Sequence, residues 1–223
     1  MRILLFGATG MVGQSALREC LNDEAVSEVL TVGRTKTEFR HPKLRQIEVR
    51  DVGDLSMVES DLAPCDACLF CLGVSSAGMR EEDYRKITYD LTMSVAKTLA
   101  RLNSGMTFLY VTGSGTDSSE RGRVMWARVK GKTENDLLRL PFRAAYMLRP
   151  GVILPSGGVR SKTRLYRVMY DILRPFYPLL ERASVVITSE QLGKAMLRLA
   201  RDGYSKPVLE SAEIKRMSRP DAR

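Results

Sequence analysis

The sequence predicts an α/β protein built as a doubly wound parallel sheet. Short apolar runs alternate with longer segments of helical period, the first run opens the chain and stops at a glycine-rich turn, and several runs are apolar throughout, as strands covered on both faces must be. Strand, helix, strand, repeated, requires right-handed crossovers and helices on both faces of one sheet.

In chain order, "RILLF" (2–6) reads as a strand and 11–22 as an amphipathic helix. "EVLTVG" (28–33), "LRQIEV" (44–49) and "DACLFCLG" (66–73) read as the next strands, followed by a long helical pattern at about 83–102. "MTFLYVTG" (106–113), a helix at about 124–140 and "AAYMLRPG" (144–151) complete the regular part. Farther on, "SVVIT" (184–188) has strand character and 189–202 has helical period. With no linker, repeat or low-complexity tract, 1–223 reads as a single domain in which 156–223 forms a smaller C-terminal lobe on the substrate side.

A chain of 223 residues, 44% hydrophobic and 27% charged, has the composition of a globular protein with a sizeable core. The opening apolar run is stopped by Gly7 with no small-residue cleavage pattern behind it, and no stretch reaches the ~18 apolar residues of a membrane span. The expected location is cytoplasmic. A net charge of +9 suits nucleic acid, an anionic membrane or an anionic cofactor. Zinc-finger, RNP-like and helix-turn-helix signatures are missing, so nucleic acid is not an expected partner.

Cys65, Cys68 and Cys71 in "CDACLFC" imitate a metal motif, but Cys20 is distant and His41, the only histidine, stands before a proline in a polar loop. The stretch reads instead as a buried strand in which free thiols act as small apolar groups, and no metal site is expected.

"GATGMVG" follows the first strand and opens a helix, the context a dinucleotide motif requires. Gly7 permits the tight turn, Gly10 lets the backbone approach a pyrophosphate, and Gly13 lets the helix pack on the sheet with its N-terminus toward the phosphates. Gly7, Thr9, Gly10, Met11, Val12 and Gly13 form the candidate cofactor cradle of a Rossmann-type domain. At the end of the second strand, where an acidic residue would favour NAD, stands Arg34 with Lys36 nearby; a cation there suits the 2′-phosphate of NADP. NADP is the expected cofactor, with NAD as the alternative if Arg34 is only a solvated loop residue.

"GATGMVG", the "GR" after the second strand, Asp51-Val52 after the third, "CLG" after the fourth and the closing "LRPGVIL" together resemble the atypical branch of the short-chain dehydrogenase/reductase superfamily, of NmrA-like and TIP30-like type. The resemblance covers roughly 1–155. It implies that Asp51 and Val52 flank the adenine, that Cys71, Leu72 and Gly73 border the adenosine ribose, and that Thr112 and Ser114 are the candidate catalytic hydroxyls. It also implies a helix bearing Tyr-x-x-x-Lys, whose lysine binds the nicotinamide ribose; Lys130 matches the lysine, and Trp126 stands where the tyrosine should be. An indole has an N–H donor but no proton that titrates near neutrality, so it cannot act as a phenolic acid or base. Tyr84, Tyr89, Tyr110 and Tyr146 are the nearest possible substitutes by element; Tyr110 and Tyr146 lie within expected core strands, and Tyr89 on the long helix is the best placed.

Two functions follow from the resemblance. One is an NADP-dependent oxidoreductase or epimerase-like enzyme on a small carbonyl or hydroxyl compound, using Ser114, Thr112 and Lys130. The other is a non-catalytic, cofactor-dependent sensor or scaffold with a protein partner. The cationic, aromatic segment 160–178 reads either as the substrate-side lobe or as a peripheral membrane contact.

Overall fold

The computed structural model describes residues 1–156 and 183–219. Seven parallel strands form the sheet in the order β3-β2-β1-β4-β5-β6-β9. They are β1 (Arg2–Phe6), β2 (Glu28–Gly33), β3 (Leu44–Glu48), β4 (Ala67–Phe70), β5 (Thr107–Val111), β6 (Ala144–Arg149) and β9 (Val208–Glu210). A separate parallel pair joins β7 (Val152–Leu154) to β8 (Val186–Thr188). The chain winds outward from β1 to β2 and β3, then returns and winds the other way through β4, β5 and β6. The order therefore reverses between β1 and β4, the kind of crevice in which α/β proteins bind ligands, at the carboxyl ends of the strands.

The alternation of side chains along each strand divides the core in two. Ile3 and Leu5 of β1 and Leu69 of β4 join one cluster with Ala16, Leu17, Leu192 and Met196. These last residues come from α1 (Met11–Asn22) and α6 (Ser189–Asp202). Leu4 and Phe6 join Phe70, Phe108, Val95, Leu99 and Leu137 on the other face, packed under α4 (Leu91–Leu102) and α5 (Met125–Leu137). There the rings of Phe6, Phe70 and Phe108 run across three adjacent strands at centroid separations of 5.5 and 5.8 Å, contacts worth about 0.5–1.5 kcal/mol each beyond their burial. Cys68 lies fully buried in β4, so that part of the cysteine run is sheet interior.

Two features depart from the sequence expectations. The helix expected at about 83–102 is α3 (Glu81–Arg85), a π-helical turn over Lys86–Asp90, and then α4. Strands β7 and β9 and the helices α2 (Glu59–Leu62) and α7 (Ser211–Met217) were not anticipated. The segment 160–178 lies outside the described residues, as do 157–159, 179–182 and 220–223 of the expected C-terminal lobe.

Candidate functional site

The turn after β1 is fixed by close backbone packing. Gly7 has φ +81°, and a Cβ there would lie 2.7 Å from the Cys71 carbonyl carbon and oxygen, so both the conformation and the space demand glycine. A Cβ on Gly13 would fall inside the Gly7 carbonyl group, which brings α1 directly onto the turn. Gly10 is the N-cap of α1, and its N–H donates to the Gly7 carbonyl at 2.9 Å. No side chain caps α1 and no acidic residue stands in its first turn. The helix thus presents an uncapped positive end to the crevice, beside the partly exposed Thr9, Met11 and Val12. A cradle that a Cβ would fill, ahead of such a helix end, fits a pyrophosphate.

A cleft of about 340 Å³ continues from this turn, lined by Gly7, Thr9, Gly33, Arg34, Val52 and Leu72 among others. Arg34 is exposed at its edge, and neither it nor Lys36 makes an ion pair among the described residues. Val52 is buried, while Asp51 is exposed and accepts a hydrogen bond from Gly53 N–H at 2.8 Å. Cys71 packs its carbonyl against Gly7, next to the lining Leu72, with its N–H on the Phe6 carbonyl at 3.0 Å and its thiol pushed by burial up to about 12; Gly73 is exposed beyond it. The candidate residues at the first four strand ends are thus gathered around one crevice.

Thr112, Ser114, Trp126 and Lys130 assemble at the carboxyl end of β5. Thr112 is buried, and its hydroxyl donates to the Leu148 carbonyl at 3.1 Å, so it is held within the sheet edge. Ser114 is tied through its N–H to the Pro150 carbonyl at 2.8 Å, while its exposed hydroxyl has no partner among the described residues. The Trp126 ring lies on this turn, within 3.6 Å of the Cβ position of Gly115 and 4.0 Å of that of Gly113. One helical turn on, Lys130 donates to the Thr112 carbonyl at 2.8 Å. Burial pulls its ammonium down to about 8, against the opposing effect of Glu134.

Behind Lys130, the fully buried Glu134 pairs with Arg149 of β6, whose Nε donates to both carboxylate oxygens at 3.1 Å. Arg149 also reaches Ser118 at 2.6 Å and Glu210 at 3.5 Å, joining α5, two strands and the loop after β5. Sequence reasoning missed this pair, although Glu134 stands one turn after Lys130 and Arg149 lies within "LRPG".

Tyr89 does not replace the absent phenol. Its hydroxyl donates to Asp136 at 2.7 Å, a bond that raises its pKa, and Lys132 lies 5.1 Å over its ring. Residues 132 and 136 are set roughly 200° around α5 from residues 130 and 134, on the far side of the helix. Tyr84 and Tyr110 are core residues, and Tyr146 exchanges hydrogen bonds with the Tyr204 backbone at 2.8 and 3.1 Å.

The sheet order and the glycine turn define a Rossmann-type α/β fold. Among solved structures the chain is similar to DesIV, a dTDP-glucose 4,6-dehydratase of Streptomyces venezuelae with NAD bound, at TM-score 0.68 and 14% identity, covering 98% of this chain and 80% of that one. It is similar also to the Bordetella bronchiseptica enzyme WbmF in complex with NAD+, at TM-score 0.66 and 14% identity, covering 96% of this chain and 76% of the other. No protein-family model matches. The chain is 31% identical to "Protein FMP52, mitochondrial" of Eremothecium gossypii over 96% of both chains, and 29% identical to fmp52-2 of Aspergillus terreus over 97% of this chain and 96% of that one. It belongs to the FMP52 family. These relatives are named as mitochondrial proteins, which overturns the cytoplasmic expectation. That expectation rested on a missing leader and a missing apolar span, and neither absence places a protein in a compartment.

Proposed function

We propose that this protein binds NADP(H) and acts as an oxidoreductase or epimerase-like enzyme on a small carbonyl or hydroxyl compound. The observation that carries the reading is the turn after β1, where Gly7 and Gly13 leave no room for a Cβ and the uncapped end of α1 faces the crevice. Gly7, Thr9, Gly10, Met11, Val12 and Gly13 would hold the pyrophosphate, and Arg34 the 2′-phosphate. Asp51, Val52, Cys71, Leu72 and Gly73 would enclose the adenosine. A bound nicotinamide supplies hydride-transfer chemistry. At its end of the crevice, the free Ser114 hydroxyl would orient and polarise the substrate oxygen, with Thr112 serving through its carbonyl, which positions Lys130. Within a single domain 1–223, residues 156–223 would contribute the smaller lobe on the substrate side.

The second reading is a cofactor-dependent sensor or scaffold for a protein partner. The indole at 126 favours it, because it occupies the position of the usual acid and covers the Ser114 turn. Titration with NADPH and NADH, read by the fluorescence of the bound reduced nicotinamide, tests the cofactor assignment; tighter binding of NADPH is expected, and no binding of either overturns both readings. Cofactor oxidation over a panel of aldehydes, ketones and quinones then separates them. Turnover lost in Ser114→Ala supports the enzyme; tight binding without turnover, in the native protein and in Trp126→Tyr, supports the scaffold.

A further inference from the structure

Where residue 126 carries no titratable proton, the described groups at the β5 edge offer few replacements. The Thr112 hydroxyl is committed to Leu148 O, and a serine hydroxyl such as Ser114 does not titrate near neutrality. Tyr89 is turned to the far side of α5 and bonded to Asp136. Glu134 is fully buried against Arg149. Lys130 remains, partly exposed on α5, its ammonium held to the Thr112 carbonyl two residues before Ser114. Only one of its three N–H donors has a partner among the described residues, the Thr112 carbonyl, so two are left for a ligand.

We infer that Lys130 is the proton-transfer group of this site, giving its proton to the substrate oxygen in reduction and taking it back in oxidation. This rests on the dehydrogenase reading above. In reduction the carbonyl carbon gains the hydride of a reduced nicotinamide, the C=O π bond breaks toward oxygen, and that oxygen forms its O–H bond with a proton from the Lys130 ammonium. The amine left behind is reprotonated from water. The surroundings of Lys130 suit the task. The charge acting on it is Glu134, on its own helix and already paired with Arg149 of β6, while β5 contributes only the neutral Thr112 carbonyl. Burial therefore outweighs the carboxylate and holds the ammonium at about 8, close to the pH at which a proton donor works best. The Trp126 ring one turn away covers the Ser114 turn as a wall of the site.

Three measurements test this. In ligand-free protein, competitive acetic-anhydride labelling across pH, read by mass spectrometry, is expected to give Lys130 a midpoint near 8, below those of exposed lysines. Lys130→Arg keeps the cation but has no proton to give near neutrality. At saturating NADPH it is expected to lose about 100-fold or more in turnover with 4-nitrobenzaldehyde or 9,10-phenanthrenequinone as carbonyl probes. Native turnover in reduction is expected to fall as pH rises through about 8, and that limb to vanish in any residual activity of the variant. An exposed-lysine midpoint for Lys130 overturns the inference. So does turnover preserved in Lys130→Arg with NADPH bound, or NADPH binding by the native protein with neither probe reduced. Failure to bind NADPH at all overturns the dehydrogenase reading itself.

Discussion

The turns after β1 and after β5 lie on the same edge of the sheet but are specified in opposite ways. The first is defined by side chains that are missing: Gly7 and Gly13 let two backbone segments and a helix meet, and what the turn offers is main-chain N–H groups. The second is defined by side chains that are present: Ser114, Trp126, Lys130 and the buried Glu134–Arg149 pair behind them. A backbone site tolerates almost no substitution, and its chemistry is generic. A side-chain site can exchange one residue, keep its shape and change what it does. The indole at 126 rests on the Ser114 turn and carries no titratable proton, where a phenol of similar shape would.

The largest expected effect is at the second turn. Glu134→Ala leaves Arg149 largely buried without its carboxylate, and the expected cost is about 3–5 kcal/mol in urea-induced unfolding. A cost under about 1 kcal/mol would show that the pair is solvated and does not hold α5 to the sheet. At the first turn, Gly13→Ala drives a methyl into the Gly7 carbonyl, with about 3 kcal/mol lost and NADPH binding abolished. Binding retained in that variant would break the contrast drawn here, since the cradle would then not depend on backbone contact.

Lys130 makes the two turns differ in pH response as well. Its ammonium is lowered in the folded protein from the ordinary 10.5 to about 8, so between these values the unfolded chain binds more protons and stability rises with pH. The gain across that window is about 1–3 kcal/mol, and Lys130→Met should remove it, raising stability at pH 7 and flattening the slope in thermal unfolding. The smallest effect is expected from Arg34→Ala: about 1.5 kcal/mol, roughly tenfold, of NADPH preference over NADH, with folding unchanged. Unaltered discrimination in fluorescence titrations would remove Arg34 from the 2′-phosphate.

The two turns also differ in how much the sequence discloses. Glycine spacing after an apolar run reports backbone contact directly, so the β1 turn and the doubly wound parallel sheet around it were legible. The β5 site was legible in position, through "TGS" and Trp126 with Lys130. The occupation of the Thr112 hydroxyl by Leu148, the removal of Tyr89 to Asp136 and the Glu134–Arg149 bridge depend on contacts between residues distant in the chain. Strands as short as β7 and β9, of three residues each, have no period to detect, and the π turn at Lys86–Asp90 is an extra residue in a helix whose apolar spacing looks ordinary.

Ser156, Ser189 and Ser15 share a hydroxyl cluster at which the chain leaves β7, enters α6 and touches α1, with Oγ–Oγ separations of 3.1 and 2.8 Å. The backbone N–H of Ser156 and of Glu190 are bound in the same knot at 3.1 and 3.0 Å. Residues 156 and 189 are therefore pinned to one another and to α1, and a chain joining two such fixed points can double in length for only about 0.6 kcal/mol of closure entropy. Like a clasp, the three serines fix where β7, α6 and α1 meet, so a change of length between the anchors would leave the uncapped end of α1 where it is.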